Sequence, residues 1–131
     1  MTDCSQGVAA LAQIACRECE GVHVVAVAGE VDASNVGAVE EAAHAVPNRV
    51  LGIVLDLLRA TYIDSATIGL LFRLRRDLGR RGQALRVVCS PESNVWRVLD
   101  LTGFADKLAP DDDCDAAIAA IRVDVPLREE A

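Results

Sequence analysis

The strongest constraint on the fold is a short, nearly continuous apolar run, Val50–Leu58, which an amphipathic segment follows closely along the chain. Such a run is typical of a strand that is covered on both faces of a sheet. In the segment that follows, apolar residues recur at helical spacing, and arginines fill the outer face. The sequence therefore predicts a strand over 50–57 and a helix over 65–81, joined through Ile63–Gly69.

This junction places the hydroxyl of Ser65 at the first turn of the predicted helix. Backbone N–H groups in a first turn have no partner within the helix, and the helix dipole there favours an acceptor or an anion. Two roles for Ser65 stay open at this point. It is either an N-cap of the helix or a switch residue whose phosphorylated form the helix terminus accommodates.

Length and charge restrict the classes of function. A chain of 131 residues is suited to one domain, and we expect a single domain over 1–131, with a flexible N-terminus over 1–7 and an acidic tail over 123–131. The formal charge of -7 argues against general nucleic-acid binding and favours a protein partner. The sequence has no recognisable membrane span or secretory signal, so the expected location is the cytoplasm.

The other segments alternate between strand-like and helix-like patterns. Residues 8–17 and 22–28 predict an opening antiparallel β-hairpin that turns at Glu20-Gly21. Further elements are predicted over 35–46 (helix), 50–57 (strand), 65–81 (helix), 85–89 (strand), 95–101 (helix) and 106–109 (strand), before a last helix in which Cys114, Ala117, Ile118 and Ile121 point inward. The predicted fold is α/β, with a mixed β-sheet, about four helices and the order ββαβαβαβα.

Three local motifs in this order resemble the STAS domain family, and within it the stand-alone bacterial anti-sigma factor antagonists. Ala28–Asp32 is similar to the family's G-E-[hydrophobic]-D segment. Ile63–Gly69 is similar to the family's D-S-[ST]-G-[hydrophobic]-G motif, and Val98–Phe104 to the [ST]-G turn that follows the third helix. The resemblance covers roughly Val22 to Ile121.

The resemblance implies a switchable binding module rather than an enzyme. In the family, the unphosphorylated antagonist binds an anti-sigma factor that is also a serine kinase using ATP, and a sigma factor is released. Phosphorylation ends this binding until a phosphatase restores the free serine. Carried over to this chain, Ser65 is the phosphorylated residue. Ala66 stands where the family usually has Ser or Thr, and Thr67, which offers a second hydroxyl, stands where it has Gly.

The predicted partner-binding residues are Ser65 itself and Asp32, Ser34, Asp64, Ala66, Thr67, Gly69 and Arg73. Several have a purely structural alternative: Asp32 as a cap of the first helix, Ser34 and its neighbour Asn35 as caps rather than partner contacts, and Asp64 as a residue that shapes its turn. The helix face that carries Arg73, Arg76 and Arg80 is either a docking surface for an acidic partner or a solvated face.

Catalysis by Ser65 is not predicted, because the G-x-S-x-G elbow is absent and no histidine follows Ser65 in the chain. Anion or nucleotide binding at the helix terminus stays as an alternative, although the chain has no glycine-rich P-loop. The resemblance implies no cofactor, nucleic acid or membrane.

Five cysteines in a chain without an export signal predict free thiols, and no metal site is expected. A redox-gated module is a further alternative, in which Cys89 and Cys114 form a bridge at one edge of the sheet. The opposing interpretation is that both are small buried apolar side chains.

Overall fold

The computed structural model describes residues 7–9, 12–45, 47 and 49–124. Within them, one sheet contains five strands in chain order: β1 (Gly7–Ala9), β2 (Ala12–Cys19), β3 (Val22–Val31), β4 (Gly52–Ile63) and β5 (Ala84–Val88). Strands β1, β2 and β3 pair antiparallel, whereas β3, β4 and β5 pair parallel. The helices are α1 (Val36–His44), α2 (Ser65–Arg80), α3 (Asn94–Leu101), α4 (Ala105–Leu108) and α5 (Cys114–Asp124). The predicted α/β fold, with a mixed sheet and an antiparallel opening hairpin, is confirmed.

The predicted strand over 106–109 is wrong, and the observed order is βββαβαβααα. Ala105 and Leu108 are both buried and lie three residues apart, which puts them on one face of the short helix α4. A bridge to β5 comes from Asp111 instead. Its N–H donates to the Val87 carbonyl at 2.8 Å, and its carbonyl accepts from the Cys89 N–H at 3.1 Å.

The ends of the chain differ in extent from the prediction. The predicted first strand, over 8–17, corresponds to β1 and β2, and Gly7 is the first residue of β1. Helix α5 continues through Val123 to Asp124, into the region predicted as tail. The rest of the predicted N-terminal segment and tail, 1–6 and 125–131, lies outside the described residues.

The sheet separates two apolar cores. Successive side chains of a strand point to opposite faces, so Ile53 and Val54 of β4 enter different cores. The larger core lies against α1, α2 and α3, and the smaller one lies against α5. Both faces of β4 are therefore covered, which explains why its sequence is a nearly continuous apolar run.

Two features of β4 set its path beside its neighbours. A Cβ on Gly52 would lie 2.3 Å from the Ala84 carbonyl oxygen, so only glycine fits where β4 passes β5. Further along, the register with β3 shifts, and the Asp56 carboxylate accepts the N–H of Leu58 at 2.9 Å. The strand then continues to Ile63, well beyond the predicted end at position 57.

Candidate functional site

Strands β3 and β4 end side by side at one edge of the sheet. Val31 and Ile63 are paired in parallel, so the residues that follow them leave the sheet next to each other. The Thr67 hydroxyl donates to the Val31 carbonyl at 3.4 Å, which joins the end of β3 to the first turn of α2. The loop from Asp32 and the start of α2 therefore form one surface.

Asp64 is the N-cap of α2, and the N-cap interpretation of Ser65 is wrong. Asp64 has an extended backbone (φ -123, ψ -172), and its Oδ1 accepts from the N–H of Ala66 at 3.1 Å and of Thr67 at 3.2 Å. The same oxygen accepts from the Thr67 hydroxyl at 3.4 Å. The two donors that a helix start offers at these positions are thus satisfied by the protein itself.

Ser65 is the first residue of α2 and its side chain is exposed. In the part of the chain that the structure describes, its hydroxyl has no hydrogen-bond partner. Thr67 differs in both respects, because it is only 1% exposed and its hydroxyl donates to Val31 and Asp64. Of the two candidate hydroxyls, Ser65 alone is open to solvent. Thr67 is turned into the protein and does not occupy the outer surface.

The carboxylate of Asp32 bonds to Ser34 rather than to the helix that follows. It accepts from the Ser34 hydroxyl at 2.6 Å and from the Ser34 N–H at 2.9 Å, and these bonds hold its pKa below the usual range. The cap position of α1 belongs to Asn35, whose side chain forms no cap bond. The predicted capping of α1 by Asp32 or Ser34 is therefore wrong.

Asn35, which was predicted as a cap, lies at the cap position of α1, but its side chain holds this loop instead of capping the helix. It is 3% exposed, its Oδ1 accepts the N–H of Asp32 at 2.9 Å, and its Nδ2 donates to the Glu30 carbonyl at 2.9 Å. The signal was available, because Asn between a strand and a helix commonly bonds to nearby backbone. Tyr62 is 45% exposed two residues before the cap and was not predicted as part of this surface, although it alternates with the buried Ile63 along β4.

Gly69 and Arg73 continue this surface along the outer face of α2. A Cβ on Gly69 would lie 3.5 Å from Arg73 Nη1, so the guanidinium folds back over the glycine towards the start of the helix. Arg73 Nη2 also donates to Glu40 Oε1 of α1 at 3.2 Å. Arg76 and Arg80 follow on the same face.

Cys89 and Cys114 are free thiols on opposite faces of the sheet, and the bridge of the redox-gated alternative does not join them. Burial raises the pKa of Cys89 to about 11, with a further contribution from the charge of Asp112. Burial and the Asp56 carboxylate, to which the Cys114 thiol donates at 3.2 Å, raise the pKa of Cys114 to about 12. Neither thiol is activated by its surroundings.

Cys19 is also free, but Cys16 is disulfide-bonded, so the prediction of free thiols is wrong for Cys16. Among the described residues, no three His, Cys, Asp or Glu side chains form a group that could hold a metal ion. No helix in this part of the chain is long and apolar enough to cross a membrane.

Comparisons with known proteins agree with the observed fold. The model of the STAS domain family matches residues 13–117. The crystal structure of an anti-sigma factor antagonist from Mycobacterium paratuberculosis is 27% identical, with a TM-score of 0.75 over 85% of this chain and 94% of that chain. A search of the curated proteins finds no match.

Two more distant structures show the same fold. The phosphorylated form of the Bacillus cell fate determinant SpoIIAA is 19% identical, with a TM-score of 0.62 over 83% of this chain and 99% of that chain. A sulfate transporter family protein from Wolinella succinogenes is 17% identical, with a TM-score of 0.67 over 82% of this chain and 89% of that chain.

Proposed function

Because the chain belongs to the STAS domain family, we propose that it is a cytoplasmic anti-sigma factor antagonist, a module that acts by binding and not by catalysis. Its partner is an anti-sigma factor with serine kinase activity, and binding of the unphosphorylated chain releases a sigma factor. The proposal is supported by the 27% identity to an anti-sigma factor antagonist of similar length. The surface formed by the Asp32 loop and the start of α2 is the proposed contact.

The observation that carries the proposal is the exposed, unbonded hydroxyl of Ser65. In the proposed reaction, Ser65 Oγ forms a bond to the γ-phosphorus of ATP, the bond between the β- and γ-phosphates breaks, and ADP leaves. The hydroxyl proton passes to a base of the kinase or to solvent. Because the Ser65 hydroxyl forms no hydrogen bond within the described residues, its modification breaks no hydrogen bond there.

The structure also gives a reason for phosphate to disrupt binding. Asp64 already accepts from the N–H groups of Ala66 and Thr67, so a phosphate on Ser65 does not gain these two donors. The modification adds about -1.5 to -2 charge beside Asp64 and close to the Asp32 loop. In a contact that excludes water, desolvation and repulsion between these groups weaken binding.

The two alternatives receive less support from the geometry. Binding of an anion or nucleotide at the start of α2 would compete with the Asp64 cap for the same two N–H groups. Redox gating by a Cys89–Cys114 bridge would have to join side chains that pack in separate cores on either side of the sheet.

Tandem mass spectrometry tests the proposal. The chain is incubated with ATP and with each anti-sigma factor kinase of its own organism, and binding is measured before and after the reaction. We expect phosphate on Ser65, release of one kinase, and recovery of binding after phosphatase treatment. Ser65→Ala should bind without being modified, and Thr102→Ala, a matched loss of an exposed hydroxyl at the end of α3 and outside the proposed contact, should still be phosphorylated.

Three other outcomes would contradict parts of the proposal. Phosphate on Thr67 in place of Ser65 would refute the choice of residue. Stable binding without phosphorylation would refute the phosphorylation switch but support the antagonist function. Neither binding nor phosphorylation with any of the kinases would overturn the antagonist assignment.

A further inference from the structure

The outer face of α2 carries a row of residues that begins at Ser65. Gly69, Arg73, Arg76 and Arg80 follow it at spacings of three or four residues, which puts all five on one side of the helix. We call Arg73, Arg76 and Arg80 the arginine strip. With 16 residues, α2 is about 24 Å long, so the strip extends the Ser65 surface along most of the helix.

We propose that the arginine strip docks an acidic surface of the same kinase partner, a proposal that rests on the proposed function. The chain as a whole carries -7, yet five of its 13 basic residues lie between positions 73 and 81, where Asp77 is the only acid. Positive charge is thus concentrated on one helix of an acidic protein. Complementary charge across an interface speeds encounter and fixes the orientation of the partners.

The bonds that the strip makes within the protein are easily exchanged. Arg73 pairs with Glu40 at 3.2 Å, and Arg76 and Arg80 share Asp77 at 3.3 and 4.0 Å. These arginine side chains are 45%, 58% and 72% exposed. Exposed pairs of this kind contribute little to stability, so a partner's carboxylates can replace them at little cost.

Arg73 couples the strip to the phosphorylation site. Its guanidinium lies against Gly69, one helical turn after Ser65. A partner seated on the strip therefore also covers Ser65. A phosphate on Ser65 is an anion at the end of the strip and competes with the partner's carboxylates for Arg73. Phosphorylation then weakens the contact along the helix as well as at the serine.

The test measures association rate and affinity for the kinase that phosphorylates Ser65, at low and at high salt. The variant is Arg76→Glu/Arg80→Glu, which leaves Ser65 and Arg73 in place. The matched control is Arg49→Glu/Arg122→Glu, which reverses two exposed arginines that pair with Glu18 and Glu20 at the opposite end of the sheet. Circular dichroism confirms that both proteins are folded.

We expect the strip variant to associate at least about tenfold more slowly than the unmodified chain at low salt, with a smaller difference at high salt. The control should stay within about twofold. If the strip variant and the control bind equally and are still released on phosphorylation, the docking role of the arginine strip is overturned. The proposed function is not affected by that result. Absence of binding by the unmodified chain would overturn both.

Vesicles of phosphatidylserine and phosphatidylcholine test the other anionic surface that arginines attract. The unmodified chain should not bind them. Binding that the strip variant loses, while its affinity for the kinase is unchanged, would assign the strip to a membrane and overturn the proposal.

Discussion

Replacing Asp64 separates its role in the fold from a role in recognition. Alanine removes the acceptor for two N–H groups at 3.1 and 3.2 Å, and the loss of an N-cap costs about 1 kcal/mol. It also removes a negative charge at the positive end of the helix dipole, worth about 0.3–1 kcal/mol. We expect Asp64→Ala to lower the free energy of unfolding by about 1–2 kcal/mol, and the melting temperature by roughly 4–8 °C.

Asparagine is the informative second variant, because its Oδ1 accepts the same bonds without the charge. Asp64→Asn should therefore cost about 0.3–1 kcal/mol in urea unfolding. Asp113→Ala is the matched control on α5, since among the described residues the Asp113 carboxylate accepts one N–H, that of Ala116, at 2.7 Å. It should destabilise less than Asp64→Ala.

The same two variants are then tested for kinase binding and phosphorylation. If Asp64 acts through the cap, Asp64→Asn should keep both activities close to those of the unmodified chain. Equal destabilisation by asparagine and alanine would refute capping as the main role. Lost binding in a stable Asp64→Asn protein would show that the partner contacts the carboxylate itself.

Gly52→Ala should lower the free energy of unfolding by about 1–3 kcal/mol, because its Cβ would lie 2.3 Å from a carbonyl oxygen of β5. Gly79→Ala, in open space on α2, should raise it by about 0.5–1 kcal/mol, and equal urea midpoints would contradict this reasoning. Because Asp56 helps to raise the pKa of Cys114 to about 12, alkylation of Cys114 followed by mass spectrometry should be slow at about pH 8 and faster in Asp56→Asn; an equal rate would refute the role of Asp56. Burial lowers the pKa of His23, so stability should fall as the pH drops below about 6.5 and through the lower native pKa. In His23→Gln the loss of stability at acid pH should be smaller, and an unchanged pH profile of stability would refute the role of His23.

The central unit of the fold was predictable because two independent patterns agree there. The apolar run marks β4, and the helical period marks α2, which was predicted over 65–81 and observed over Ser65–Arg80. Helix α4 was not predictable, because four residues span barely one turn and cannot display a period. Its burial depends on packing against distant parts of the chain.

At the site, the sequence could not decide which residue caps α2. Asp64 and Ser65 are adjacent, and both residue types are favoured N-caps, so the choice depends on where the backbone turns from extended to helical. The inward position of Thr67 was predictable. It is four residues before Leu71 and seven before Leu74, which places it on the buried face of the helix.

Predicting the faces of the sheet on which Cys89 and Cys114 lie required the complete topology. Alternation along β5 puts Cys89 on the same face as Val87, but only the packing of α5 on the other side of the sheet separates it from Cys114. Proximity at an edge of a sheet, the basis of the redox-gated alternative, does not determine the face on which a side chain lies.

Phosphorylation of Ser65 should change binding while leaving the fold intact. The hydroxyl bonds to nothing in the described residues, and Asp64 remains free to cap α2 after modification. We expect the free energy of unfolding to change by no more than about 0.5 kcal/mol, as for a surface substitution away from buried groups. In amide NMR spectra, shifts should be confined to the Asp32 loop, the first turns of α2 and the arginine strip. Large shifts in β5 or α5, or a cooperative loss of hydrogen-exchange protection, would show instead that the phosphate acts through a conformational change. The competition at Arg73 would then no longer explain release of the partner.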